Sequence, residues 1–165
     1  MSLFPKDVID LATESLSACR ERGLMIVTAE SCTGGLIAAA LTEIAGSSDV
    51  VDRGFVTYSN AAKTAMLDVS SKTLGTYGAV SKETALEMAK GALANSLASI
   101  SVAVTGVAGP GGGSTDKPVG LVHIAVANEA NTVHRECRFG AVDREQIRLE
   151  TVRTALQMIL SLVQA

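Results

Sequence analysis

The sequence predicts an α/β fold: a three-layer α/β/α sandwich around a mixed, mostly parallel sheet of about five strands. Three observations lead there. Short apolar runs alternate with segments of helical period along the first two-thirds of the chain, the pattern of βαβ units. Two neighbouring strand-like runs near the end, Val119–Ala127 and Val133–Arg138, are separated by a polar turn around Asn128–Asn131, which suits an antiparallel hairpin and makes the sheet mixed. The chain has 165 residues, 47% of them hydrophobic, which suffices for one domain with a core that needs no disulfide or metal staple.

Each element follows from a local pattern. A first helix is expected over Pro5–Arg22, where Val8, Leu11, Ala12, Ser15, Leu16 and Cys19 recur at helical spacing and Gly23 supplies the stop. Leu24–Ala29 is a short apolar run, read as a buried strand, and Leu36–Ala45 is an apolar helix ended by Gly46. Asp52–Tyr58 reads as a second strand, followed by a helix over Ala61–Leu67 capped by Asn60. Lys72–Val80 is expected to be a loop with two glycines. Ser81 caps a helix to about Ser96, with Leu86, Ala89, Leu93 and Leu97 on one stripe. Ile100–Thr105 is a strand, and Gly106–Pro118 a loop holding five glycines. The last helix starts near Asp143, where Asp143 and Gln146 have capping-box spacing, and it buries Val152, Ala155, Leu156, Ile159 and Val163.

Composition excludes several function classes. The net charge is −3, so there is no basic footprint for a nucleic-acid backbone. Aromatic residues are 3% with no Trp, too few for a base-stacking platform. No apolar run reaches membrane-spanning length, and the opening MSLFPKDVID has neither the basic nor the apolar region of a secretory signal. Three scattered cysteines, Cys19, Cys32 and Cys137, read as reduced thiols of a cytoplasmic protein. His123 and His134 have no metal-ligand spacing, and no metal or cofactor is expected.

The candidate chemistry sits in three loops at strand ends, where open α/β sheets bind ligands. In Glu30-Ser31-Cys32-Thr33-Gly34-Gly35, a Ser at a strand-to-helix junction lies near free helix amides that can hold an oxyanion, although this segment alone favours Ser31 or Thr33 as a plain N-cap. Cys32 has no His nearby in sequence to activate it, and reads as a buried thiol. In the second loop, Lys63 near the start of a helix is disfavoured as an ammonium by the helix dipole and by partial burial, so it can serve as a base, with Tyr58 relaying a proton; spacing alone favours a surface Lys and a packing Tyr. In the third, Thr105 through Gly113 presents clustered glycines whose amides can approach an anion, or else a merely flexible loop. Its spacing fits neither a Walker loop nor a dinucleotide fingerprint. Arg144 and Arg148, one turn apart at the start of the last helix, suit a bidentate phosphate clamp, unless both extend to solvent.

Taken together, five segments resemble one family. Thr28-Ala29-Glu30-Ser31-Cys32-Thr33-Gly34-Gly35, Gly54-Phe55-Val56-Thr57-Tyr58-Ser59-Asn60 with Lys63, Gly78-Ala79-Val80-Ser81, Gly106-Val107-Ala108-Gly109-Pro110 and Lys117-Pro118-Val119-Gly120 are similar, in order and over nearly the whole chain, to the CinA C-terminal domain, or PncC, family. One stretch departs: Gly140-Ala141-Val142-Asp143-Arg144 is longer than the family's Gly-Asp-Arg. The resemblance is to the stand-alone form, with residues 1–165 as a single domain. It implies a cytoplasmic nicotinamide-nucleotide amidohydrolase converting nicotinamide mononucleotide and water to nicotinate mononucleotide and ammonia, with no cofactor.

On that footing Ser31 is the expected nucleophile, Lys63 the base and Tyr58 its assistant. Cys32, Thr33, Gly34 and Gly35 would supply oxyanion amides. Thr105, Gly106, Ala108, Gly109, Gly111 and Gly112, with Arg144 and Arg148, would hold the 5′-phosphate. Glu30 would balance the pyridinium ring or serve as a structural hydrogen-bond acceptor. The expected partner is the small-molecule substrate, with no nucleic acid or membrane, and a homodimer is allowed. The rival reading is a non-catalytic nucleotide-binding or competence- and damage-associated interaction module, which needs the loop and arginines but not Lys63.

Overall fold

Five strands form one sheet in the order β2-β1-β3-β4-β5, with β1 at Ile26–Glu30, β2 at Val51–Val56, β3 at Ile100–Gly106, β4 at Leu121–Ala127 and β5 at Thr132–Arg138. The computed structural model describes residues 1–165. β1 pairs parallel with both β2 and β3, while β3–β4 and β4–β5 pair antiparallel, so β4 alone runs against the other four. The mixed α/β sandwich expected from the sequence is the one observed.

The helices are α1 (Lys6–Glu21), α2 (Leu36–Thr42), α3 (Asn60–Leu67), α4 (Ser71–Tyr77), α5 (Lys82–Ala94) and α6 (Arg144–Gln164). Successive side chains of a strand point to opposite faces, so the sheet divides its core in two. Val102, Val104, Val122, Ile124 and Val126 face a cluster completed by Val8, Leu16, Ile37, Leu156 and Ile159 of α1, α2 and α6. Val27, Ala29, Ala103, Ala125 and Ala127 face Ala85, Met88, Ala89 and Ala92 of α5. The five stripe residues expected on the last helix are all buried.

β1, β3 and β4 are buried along almost their whole length, whereas the edge strands β2 and β5 are partly exposed. The β5 edge carries Arg135, Glu136 and Arg138, charges that discourage pairing with a second sheet. Its His134 Nε2 lies 2.9 Å from His123 Nδ1 on β4, a cross-strand bond inside the hairpin.

Three local expectations are corrected. Residues expected to form a loop at Lys72–Val80 include α4, a two-turn helix capped by the Ser70 hydroxyl, which accepts from the Lys72 amide. The cap of α3 is Ser59, not Asn60: its hydroxyl accepts from the Ala62 amide, and the helix begins one residue earlier. Asp143 is the N-cap residue of α6, but its side chain makes no capping bond, so the capping box does not form.

From β1 the chain crosses to β2 on one side, and from β2 it returns past β1 to β3 on the other. Crossovers of one hand leaving in opposite directions place their helices on opposite faces and open a crevice at the carboxyl ends of β1 and β3. Ser31 directly follows β1 there, and its amide donates to Val104 of β3.

Candidate active site

A cavity of about 290 Å³ occupies that crevice. Its lining brings together most of the residues singled out in the sequence: Ser31, Cys32, Tyr58, Lys63, Thr105, Gly106, Ala108, Gly109, Gly111, Gly112 and Arg144. Two of them, Ser31 and Lys63, lie 32 residues apart in sequence and meet in this lining. Lys63 Nζ is 3.0 Å from Ser31 Oγ and donates at 2.7 Å to the Thr57 carbonyl.

Lys63 reaches this place because the Ser59 cap starts α3 immediately after β2, which turns the fourth helical residue inward. Its side chain is only 1% exposed. Burial is the main cause that lowers the amine's pKa from the ordinary lysine value, since desolvation penalises the ammonium. A buried amine of lowered pKa beside a serine hydroxyl is an arrangement that can activate a nucleophile.

The turn carrying Ser31 is held from behind. Neither Ser31 nor Thr33 caps α2. Gly35 is the N-cap, with φ 105°, and has no side chain to offer. The Glu30 carboxylate takes that role from the strand end, accepting from the Ile37 and Ala38 amides at 2.8 and 3.1 Å and from the Thr33 hydroxyl at 2.7 Å. A buried carboxylate at a helix N-terminus compensates the free amides and the dipole together. Glu30 is therefore a structural acceptor and does not face the cavity, and the Ser31 hydroxyl is left to Lys63. Thr33, Gly34 and Gly35 likewise lie outside the lining.

Arg148 is the other displaced expectation. Its Nε and a terminal nitrogen donate to the Cys32 and Thr33 carbonyls at 3.1 and 3.0 Å, so it grips the serine turn and does not reach the cavity. Arg144 does line it. Its guanidinium donates to the Gly109 carbonyl at 2.7 Å and to the Tyr58 hydroxyl at 3.0 Å, bridging the glycine loop and the end of β2. Tyr58 makes its hydrogen bond to Arg144 rather than to Lys63 or Ser31, and it is 61% exposed. Cys32 lines the cavity, but burial pushes its thiol up to about 12, so the thiolate a nucleophile needs is scarce.

The far wall is made by the glycine loop and by Ala79 and Val80. Thr105 donates through its hydroxyl to the Ala79 carbonyl at 2.8 Å, and the Lys117 amine donates to the Tyr77 carbonyl, so both tie this wall to the loop. At Gly106 a Cβ would lie 2.8 Å from the Leu121 carbonyl oxygen and 2.9 Å from Val122 Cα, so only glycine lets β4 pack there. Reading residues by type found the loop but missed the Thr57 carbonyl and the Ala79–Val80 wall, since a main-chain acceptor and two small apolar residues carry no chemical mark in a sequence.

Residues 8–163 match the model of the CinA C-terminal domain. The chain belongs to this family. Its curated relatives are of two lengths. The nicotinamide-nucleotide amidohydrolase PncC of Enterobacter agglomerans is 48% identical over 155 residues, 94% of each chain. A putative competence-damage inducible protein of Caldicellulosiruptor bescii is 51% identical over 139 residues, which are 84% of this chain but 34% of that protein, so the chain spans about a third of this longer relative. Among solved structures of the family, the competence/damage inducible protein CihA from Agrobacterium tumefaciens is 61% identical and superposes with a TM-score of 0.97 over 98% of this chain and 99% of that one.

Proposed function

We propose that this member of the family hydrolyses the carboxamide of nicotinamide mononucleotide, releasing ammonia and leaving nicotinate mononucleotide, with Ser31 as nucleophile and Lys63 as base. One observation carries the reading: the 3.0 Å contact between Ser31 Oγ and a nearly inaccessible Lys63 amine in the lining of the switch-point cavity. A pure nucleotide-binding module has no use for a buried lysine amine set against a serine hydroxyl. The PncC relative of matching length supports the choice of substrate.

In this reaction Ser31 Oγ attacks the carboxamide carbon while its proton passes to Lys63 Nζ. The carbonyl oxygen becomes an oxyanion, held by main-chain amides of the serine turn. Collapse of the tetrahedral adduct breaks the C–N bond, and the Lys63 ammonium returns the proton to the departing nitrogen, which leaves as ammonia. Water, deprotonated by Lys63, then attacks the resulting ester, and the Ser31 oxygen leaves with that proton. The Thr57 carbonyl keeps the amine aimed through both halves. Arg144 and the amides of the glycine loop hold the 5′-phosphate. The three buried free thiols accord with a cytoplasmic setting. Incubating purified protein with nicotinamide mononucleotide tests the proposal: ammonia and nicotinate mononucleotide should form one to one, and absence of both products contradicts it.

A further inference from the structure

The turn that carries Ser31 contains two amides without a partner in another residue. Gly34 donates to the Ser31 carbonyl and Ser31 donates to Val104, but the Thr33 amide donates to no backbone or side-chain acceptor and the Cys32 amide meets only its own thiol, although both residues are buried. Buried amides left unpaired are rare and call for an acceptor from elsewhere.

Their directions are set by the carbonyls that precede them. A trans peptide points its C=O and the next N–H to opposite sides. Arg148 holds the Cys32 carbonyl, so the Thr33 amide points away from Arg148. Arg148 also holds the Thr33 carbonyl, which turns the Gly34 amide away in the same manner, onto the Ser31 carbonyl. That bond in turn fixes the Cys32 amide. Arg148 itself stands in a separate groove with Leu3, Phe4, Leu36 and Leu149, while Ser31 and Cys32 face the cavity. The turn is thus the partition between the two, gripped on one side and open on the other.

We infer that Arg148 is a positioning residue: its two bonds to the Cys32 and Thr33 carbonyls hold both amides on the side away from its own groove, and so aim the Cys32 amide, whose residue lines the cavity, at the oxygen that becomes the oxyanion. The inference rests on the Ser31–Lys63 reading of the cavity and goes beyond it in assigning the device that sets the oxyanion site. A full flip of the Cys32–Thr33 peptide would push Thr33 toward positive φ, which a β-branched residue resists. Loss of Arg148 therefore loosens the hold on the amides rather than inverting them. The expected effect is smaller than the roughly 10²–10³-fold cost of deleting an oxyanion donor outright.

The test uses Arg148→Gln and Arg148→Lys, with two readouts. The first is steady-state kinetics on nicotinamide mononucleotide and on its riboside. The second is the rate at which a fluorophosphonate labels Ser31, a reaction in which Oγ bonds to phosphorus, fluoride leaves and the same amide receives the phosphoryl oxygen. Arg148→Gln should lower kcat about 10- to 100-fold, as for a small misplacement of catalytic groups. KM should stay within about twofold, the preference for mononucleotide over riboside should be unchanged, and labelling should slow in parallel. Arg148→Lys, which keeps one donor, should fall between, and it carries the test if the Gln variant fails to fold. A raised KM and lost preference for the phosphate, with kcat and labelling intact, would overturn the inference in favour of phosphate binding. Unchanged kinetics and labelling in a less stable protein would overturn it in favour of a purely architectural role. If wild-type protein is labelled but leaves the mononucleotide intact, the amidohydrolase reading fails on its own, and the labelling rates of the two variants decide the inference.

Discussion

Replacing Lys63 separates a base from a fixed charge. Lys63→Met removes the amine, and Lys63→Arg exchanges it for a guanidinium that stays protonated at any usable pH. If the amine takes the Ser31 proton across the 3.0 Å contact, both variants lose the base, which costs about 10²–10⁴-fold in kcat. Stability should order them differently. The site is 1% exposed, and burial lowers the pKa of the wild-type amine, so it can shed a buried charge that a guanidinium must keep. Arginine has no such escape, so Lys63→Arg should lose several kcal/mol. Lys63→Met forfeits the bond to the Thr57 carbonyl, about 1 kcal/mol, but also the desolvation of the amine, and should stay within about 1 kcal/mol of wild type at neutral pH.

The pH dependence has a definite sign. Burial lowers the folded-state pKa below the unfolded value, so between the two the unfolded chain binds more protons. Wild-type stability should therefore gain a component as pH rises through that window and lose it as pH falls through the folded pKa, and Lys63→Met should lack this component. In wild type, kcat should climb along an acidic limb with its midpoint below the ordinary lysine value. Stopped ammonia assays across pH and denaturant melts of the three proteins measure all of this. A Lys63→Arg enzyme keeping most of its kcat would refute the base assignment.

Other outcomes follow from the same geometry. Arg144→Gln should raise KM for nicotinamide mononucleotide about 10- to 100-fold, the worth of a charge-assisted bond of ~1.5–3 kcal/mol, and leave the riboside nearly unaffected; equal effects on both would remove Arg144 from the phosphate. Cys32→Ala should keep kcat within about threefold, and iodoacetamide at neutral pH should not inactivate the enzyme, because the thiol is pushed up to about 12. Rapid loss of activity on alkylation of Cys32 would argue otherwise. Dialysis against EDTA should leave turnover intact, since the serine needs no metal-bound hydroxide; loss that a divalent ion restores would show a missing component.

The parts legible in the sequence are those where one physical signal dominates. The stripe of α6 and the largely apolar, β-branched β3 announce themselves by periodicity and composition, and both lie where expected. α4 was hidden because none of its seven residues is buried and Gly75 sits in its middle, so it has no apolar period to find; only the Ser70 cap marks it. Strand order was also beyond reach, since nothing in β2 states that it pairs outside β1. In the site, Ser31 and Lys63 stand out by residue type and do line the cavity, but the contacts of Glu30 and Arg148 show only in three dimensions. A carboxylate before a serine and an arginine on a helix look the same in sequence whether they face a ligand or the main chain. Here both turned to main-chain groups of the serine turn and the start of α2.

The central claim is that Ser31 becomes acylated. Wild-type protein mixed with nicotinamide mononucleotide and quenched in acid within the first turnovers should carry an adduct equal to nicotinate mononucleotide less one water, localised by fragment-ion mass spectrometry to Ser31 itself. Ser31→Ala should carry no adduct and release no ammonia above background. Sustained ammonia release by Ser31→Ala, or an adduct on Cys32 instead, would contradict the account.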